Sequence, residues 1–239
     1  MTHKKVSVIL TSYNNPQYLP RAIESILNQT YDNFELIIAD DNSSQETLNI
    51  IEEYVHLPNV IFFNSNIKEE DRLKTARYAT QINTGVRNFS TGEYLTYSAD
   101  DDYCYPTMLK KMMSYVDKTG YDIVFCAQHI KDTDDNVDGR GIDGRGVRFF
   151  NQPLMRGADA LDHGQVMTSR SCFDAVGGWN DEAWCWSGAD AIFYDRLEKA
   201  GYIFYPMDTM EPLQVKMYRE KSIQWNMANG LNATGKVDI

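Results

Sequence analysis

Asp100, Asp101 and Asp102 stand side by side in SADDDYCYP, directly after the apolar, aromatic run Tyr94-Leu95-Thr96-Tyr97. One carboxylate is enough to cap a turn, and adjacent like charges repel: at an effective dielectric of ~20, two carboxylates ~4 Å apart cost about 4 kcal/mol. A divalent cation removes that cost. Mg2+ and Mn2+ take carboxylate oxygens and complete their shell with water and a ligand's phosphates, so the triplet reads as a metal site for a phosphorylated substrate. Two other acidic positions share this setting, Asp40-Asp41-Asn42 after an apolar run and Asp190 where a helix opens. Taken singly, each is equally explained as turn or N-cap chemistry.

The elements that must position these acids follow from hydrophobic periodicity. Short apolar runs at residues 6–10, 34–38, 60–63 and 94–97 read as strands covered on both faces. Between them, Leu19, Ile23, Ile26 and Leu27, then Leu48, Ile51 and Val55, recur at helical spacing, and a further helix spans about 75–89. This alternation predicts a mostly parallel sheet with helices on both faces. Right-handed crossovers then bring the strand ends to one edge, where such folds bind ligands. In the second half the pattern predicts helices at 106–116, 171–176 (closed by Gly177-Gly178) and 190–200, with strands at 122–127 and 166–168. Residues 131–148 read as a polar loop or β-ribbon excursion. The pattern weakens from Pro206 onward, and the final LNATGKVDI reads as frayed.

Composition narrows the function. A chain of 239 residues with 43% hydrophobic and 12% aromatic residues can bury one large core. Its 34 acidic against 23 basic residues give a net charge of −11, which excludes a broad footprint for DNA or RNA. An anionic ligand therefore needs a local reversal of sign, for which a divalent cation is the obvious source. No stretch approaches membrane-spanning length. Cys104, Cys126, Cys172 and Cys185 form no C-x-x-C pair, so a reduced, cytoplasmic setting is the simplest reading. Asp134-Asp135-Asn136-Val137-Asp138-Gly139 matches half of a calcium loop, but Arg145 stands at its twelfth position and a calcium hand is not expected. Arg140, Arg145 and Arg148 in this stretch read as loop charges available to a diphosphate.

Residues 11–18, TSYNNPQY, lack the glycines of a dinucleotide turn, and no G-x-x-x-x-G-K-[ST] loop occurs, which argues against NAD and phosphate-loop chemistry. What remains carries a resemblance. The opening VSVILTSYNNPQYLPRAIESILNQTYDNFELIIADDNSSQET, the Asn83-x-Gly85 helix, GEYLTYSADDD, GGWND and SGAD-x-x-x-x-DRLEKAGY together resemble an inverting family-two glycosyltransferase, similar to the spore-coat polysaccharide glycosyltransferases, from Val6 to about Tyr202. The resemblance implies an α/β fold of the GT-A (Rossmann-like) type: a single domain over 1–239, with a mostly parallel central sheet flanked by helices and a smaller acceptor-side subregion. Its nucleotide-binding half would cover about 1–103, its acceptor-side half about 104–205, and a C-terminal tail about 206–239.

The same resemblance implies a nucleoside diphosphate sugar donor, UDP- or TDP-linked, with Mn2+ or Mg2+ on its diphosphate. Thr11, Tyr13, Asp41 and Arg72 would line the nucleoside pocket, with Asp41 on the base. Asp100 would meet the ribose or the metal shell, Asp101 would be the principal metal ligand and Asp102 a further metal ligand. Asp190 would be the catalytic base, although the acidic residue that usually precedes it is Ala189 here, and Asp181 and Asp195 lie close in sequence. Asp162 and His163 fall where this fold meets donor sugar and acceptor. Trp179, Trp184 and Trp186 flank the acceptor side; core packing is the commoner role for any one of them, but this loop makes one sugar platform plausible on stacking grounds, with Trp179 the candidate. The acceptor would be a glycan, a lipid-linked glycan or a small molecule. Two other readings compete, a sugar-nucleotide-forming nucleotidyltransferase, whose Gly-rich basic loop is missing, and a non-catalytic relative that binds nucleotide sugar or metal.

Overall fold

The computed structural model describes residues 3–131, 147–186 and 188–217. Its main sheet has seven strands in the order β10-β6-β9-β4-β1-β2-β3. These are β1 (Val6–Ser12), β2 (Phe34–Asp40), β3 (Val60–Asn64), β4 (Tyr94–Ala99), β6 (Ile123–Phe125), β9 (Val166–Ser169) and β10 (Tyr205–Pro206). All neighbours run parallel except β9, which lies antiparallel between β4 and β6. The expected mixed α/β architecture with a mostly parallel, two-sided sheet is what the chain adopts.

Burial explains why the strands read as unbroken apolar runs. Every residue of β2 is buried, and β1 is buried except at Thr11. Val8, Leu10, Leu36 and Ile38 face helices α1 (Leu19–Leu27) and α4 (Met108–Thr119). Ile9, Ala39, Leu95 and Tyr97 face the opposite core, which holds α3 (Arg77–Asn88), α5 (Arg170–Val176) and α6 (Ala189–Lys199). Helix α2 (Gln45–Glu52) joins β2 to β3. Leu19, Ala22, Ile23 and Ile26 form the buried stripe of α1, while Gly120 and Gly177, both at positive φ, end α4 and α5.

A second sheet, in the order β5-β11-β7-β8, packs beside the acidic edge. It comprises β5 (Tyr103–Cys104), β7 (Ala127–Lys131), β8 (Val147–Arg148) and β11 (Pro212–Met217). Sequence reading expected a tail where β11 forms, because PLQVKM is short and follows a run with little periodicity. The polar stretch 131–148, with Arg140 and Arg145, lies outside the described residues except at its ends, where β7 and β8 pair antiparallel as a ribbon would. The final LNATGKVDI, for which fraying is the expectation, also lies outside them. Among the described residues no helix is long and apolar enough to cross a membrane.

Asn83 of α3 clasps the Gly-Gly-Trp turn, donating from Nδ2 to the Trp179 carbonyl at 2.8 Å and accepting the Trp179 N–H at 2.9 Å. Gly178 sits in this clasp at φ +84, and a Cβ there would lie 2.5 Å from Asn83 Oδ1. Gly178→Ala is therefore expected to cost about 2 kcal/mol. For a chain of this size a thermal melt should fall by roughly 4–8 °C. An unchanged melt would show that the clasp yields freely.

Candidate functional site

Register gathers the acids. Ser12 pairs with Asp40 and Thr11 with Ala99, so β1, β2 and β4 end together, and Tyr13, Asp41 and Asp100 are their next residues on one edge. Because β9 is reversed, its start lies at that same edge, opposite Thr96 and Phe125, and brings Asp162 and His163 there.

Asp100 ties the first loop to the third strand end. Its Oδ2 accepts the Tyr13 N–H at 2.8 Å and its Oδ1 accepts Asn15 Nδ2 at 2.7 Å. Thr11 Oγ1 points to the Ser98 carbonyl at 3.5 Å. Asp40 is enclosed, accepting from the Ser43 N–H and Asn64 Nδ2, and burial pushes its carboxyl above the usual range. It shapes the turn.

Asp41 is the centre of a buried ionic network. Arg72 Nη1 lies 2.5 Å from Oδ2, Arg77 Nη2 lies 2.7 Å from Oδ1, and Gln81 Nε2 and Ser65 Oγ donate to Oδ1 as well. Burial alone would raise the Asp41 pKa, but the Arg77 and Arg72 guanidiniums and Gln81 hold it below the ordinary carboxylate value. Arg72 also reaches Glu69 Oε2 through Nε at 3.3 Å, so the two guanidiniums face two carboxylates, Asp41 and Glu69. The Arg72 guanidinium also covers the Tyr13 ring, 3.7 Å from its centroid, and Tyr13 remains 41% exposed. Arg72 thus stacks on one face of the Tyr13 ring.

Deeper along the edge, charges alternate. Asp101 is half-buried, whereas Asp102 is buried, its Oδ1 accepting the Met217 N–H of β11 at 2.9 Å and its Oδ2 lacking a hydrogen-bond partner among the described residues. Lys216 Nζ lies 2.5 Å from Asp162 Oδ2. Asp162 also accepts the Gly164 N–H and caps the short helical turn His163–Gln165. His163 Nδ1 stands 3.9 Å from Asp162 Oδ1 and 3.9 Å from Asp190 Oδ2. Burial disfavours charge on His163, yet Asp162 and Asp190 raise its pKa above the ordinary histidine value.

Asp190 occupies the first turn of α6, where the helix dipole favours a carboxylate. The Tyr78 hydroxyl accepts the Ala189 N–H at 2.9 Å and so fixes the helix start against α3. Neither sequence neighbour competes for its place. Asp195 pairs with Lys199 on the outer face of α6, and Asp181 accepts from Thr80.

Trp179 corrects an expectation. It is 3% exposed, stacked on Phe193 at 5.1 Å and edge-on to Tyr97, so neither ring face is open to a sugar. Trp184 of the same loop is 70% exposed and has the accessible ring. Sequence reading missed Arg77, Tyr78 and Lys216. The usable signal for Arg77 was a cation at a helix start, where the dipole disfavours it unless an acid waits opposite.

This geometry accords with what the chain resembles. Protein CgeD of Bacillus subtilis (strain 168) is 39% identical over 201 residues, covering 81% of this chain and 46% of that protein. The chain thus spans about half the length of that curated relative. Among solved structures, S. aureus TarS 1-349 in complex with UDP-GlcNAc superposes with a TM-score of 0.69 at 18% identity, over 93% of this chain and 64% of that one. The mannosyltransferase PcManGT from Pyrobaculum calidifontis, in complex with GDP-Man and Mn2+, superposes with a TM-score of 0.68 at 15% identity, over 95% and 61%. At these identities the two structures establish the shared fold. Residues 7–175, which carry the strand-end acids, the reversed β9 and the Asp162-His163 turn, match the profile described as Glycosyl transferase family 2, and the chain belongs to that family with a GT-A fold.

Proposed function

We propose that the chain transfers a sugar from a nucleoside diphosphate sugar to an acceptor hydroxyl in one inverting displacement. The observation that carries this reading is the convergence of Asp100–Asp102, Asp162-His163 and Asp190 on the edge that also holds the Tyr13–Arg72 platform. Asp190 accepts the hydroxyl proton as the acceptor oxygen bonds to the anomeric carbon. The bond from that carbon to the phosphate oxygen breaks, and its electron pair leaves with the diphosphate. His163, 3.9 Å from both Asp162 and Asp190, orients the Asp190 carboxylate toward the acceptor. The 3.9 Å spacing is of the loose kind that tightens once substrate binds.

The nucleoside rests on Tyr13, with Thr11 and Asp100 near the ribose. Asp41 has its oxygens engaged by Arg72, Arg77, Gln81 and Ser65, so it fixes Arg72 against Tyr13, and a pyrimidine edge reaches it only by replacing one of those donors. Asp101, half-buried at the rim, is the residue that would hold Mn2+ or Mg2+. Such an ion supplies positive charge to the diphosphate oxygens. UDP or TDP sugars are the donors this pocket favours, with a glycan, lipid-linked or small-molecule acceptor. The TarS complex with UDP-GlcNAc and the PcManGT complex with GDP-Man and Mn2+ support a nucleotide-sugar donor on this fold.

Calorimetry with UDP, TDP and GDP, each with and without Mn2+, tests the reading. UDP or TDP should bind, and more tightly with Mn2+. Failure of every nucleotide to bind in either condition would remove it. Release of free nucleotide from a panel of donors then separates a transferase from a binding protein without turnover.

A further inference from the structure

Asp102, Asp162 and His163 bring three ligand atoms within 4.8 Å of one another. Taken as donors alone they describe a divalent-ion site, and the unpartnered Asp102 Oδ2 faces the need for one more positive contact. A cation is already present. Lys216 enters from β11, 12% exposed, with its ammonium 2.5 Å from Asp162 Oδ2. Its neighbour Met217 donates its N–H to Asp102, so the backbone that carries Lys216 is pinned to the same acid. β11 is held on both sides, by β7 (Lys216 opposite Ile130) and by β5. Asp162 has little left to offer: Lys216 takes one oxygen, and the Gly164 N–H and Gln128 Nε2 take the other.

A dication at this cluster would have to displace the Lys216 ammonium from Asp162, and β11 holds that ammonium in place through its pairing with β5 and β7 and through the Met217 N–H on Asp102. Burial lowers the pKa of Lys216 but Asp162 and Asp102 raise it further, so the ammonium does not vacate the place by losing its proton.

The geometry points to Lys216 as the built-in cation of the Asp102–Asp162–His163 cluster, which therefore excludes a divalent ion and confines any metal that accompanies the diphosphate to the Asp101 side. The inference uses the same edge as the proposed transferase site, yet it concerns the nucleotide-free protein and is tested there.

Mn2+ binding to the nucleotide-free chain, followed by electron paramagnetic resonance, is the measurement. The wild-type protein should bind Mn2+ weakly, and Asp162→Asn should not change that. Lys216→Met should gain a site at least about tenfold tighter, and adding Asp162→Asn to it should remove the gain. Lys216→Arg should keep the exclusion. If Lys216→Met loses stability, Mn2+ should restore its melting temperature while leaving the wild type unmoved. Two results overturn the proposal: tight Mn2+ binding by the wild type that Asp162→Asn abolishes, or a folded Lys216→Met with no added affinity. Neither depends on whether any nucleotide binds, so the failure of the transferase reading would be seen separately.

Discussion

Asp190→Asn is expected to lower sugar transfer by roughly 10²-fold or more, while donor binding measured by calorimetry stays as in the wild type. The substitution keeps the shape and one acceptor oxygen, so α6 retains its start, which the Tyr78 hydroxyl holds through Ala189 rather than through Asp190. What disappears is the basic carboxylate 3.9 Å from His163 Nδ1. An effect on the rate constant without one on donor affinity is the signature of a group that acts only as the acceptor hydroxyl loses its proton. Asp195→Asn is the matched control, five residues on, paired with Lys199 in solvent, and should leave the rate within about twofold. Full transfer by Asp190→Asn would assign the base elsewhere.

Asp41→Asn should be the most destabilising single change at the site, by about 3–5 kcal/mol, with a fall in melting temperature on the order of 10 °C. The carboxylate is buried and faces two guanidiniums; the amide leaves Arg77 without its carboxylate and Arg72 with only the exposed Glu69. Because the folded pKa of Asp41 is depressed, its contribution is present above the ordinary carboxylate pKa of about 4 and is lost as the pH falls through the lowered folded value. Melts at neutral and acidic pH should therefore show a gap between wild type and Asp41→Asn that narrows with acid. Glu35, held below its ordinary value through Lys5, Thr91 and Ser7 despite burial, adds acid sensitivity of the same sign to both proteins and leaves the comparison intact. Equal stability at neutral pH would mean that Arg72 and Arg77 find other partners.

The parts of this fold that were legible are those written in periodicity. Runs such as Val6–Ser12 and Phe34–Asp40 are covered on both faces, so their apolar character is continuous, and the acids that follow them had to meet at one edge. Asp190 was legible because a helix start is a local feature. Lys216 was not, since its meaning comes from Asp162, fifty-four positions earlier, and its strand is too short to announce itself. Arg77 was missed because its meaning comes from Asp41, which β2 places opposite it. Trp179 misled for a related reason: stacking chemistry is the same for a sugar and for Phe193, and only packing tells them apart.

The four thiols have a practical consequence. Cys104, Cys126, Cys172 and Cys185 are all buried and unbridged, and burial pushes their pKa values up to about 11, 12, 12 and 11. The thiolate, the form that attacks an electrophile, is therefore suppressed in all four. A cysteine introduced at the exposed Trp184 would outcompete all four for a maleimide dye. A fluorescent reporter can thus be attached to the loop leading into Asp190 without first removing the native sulfurs.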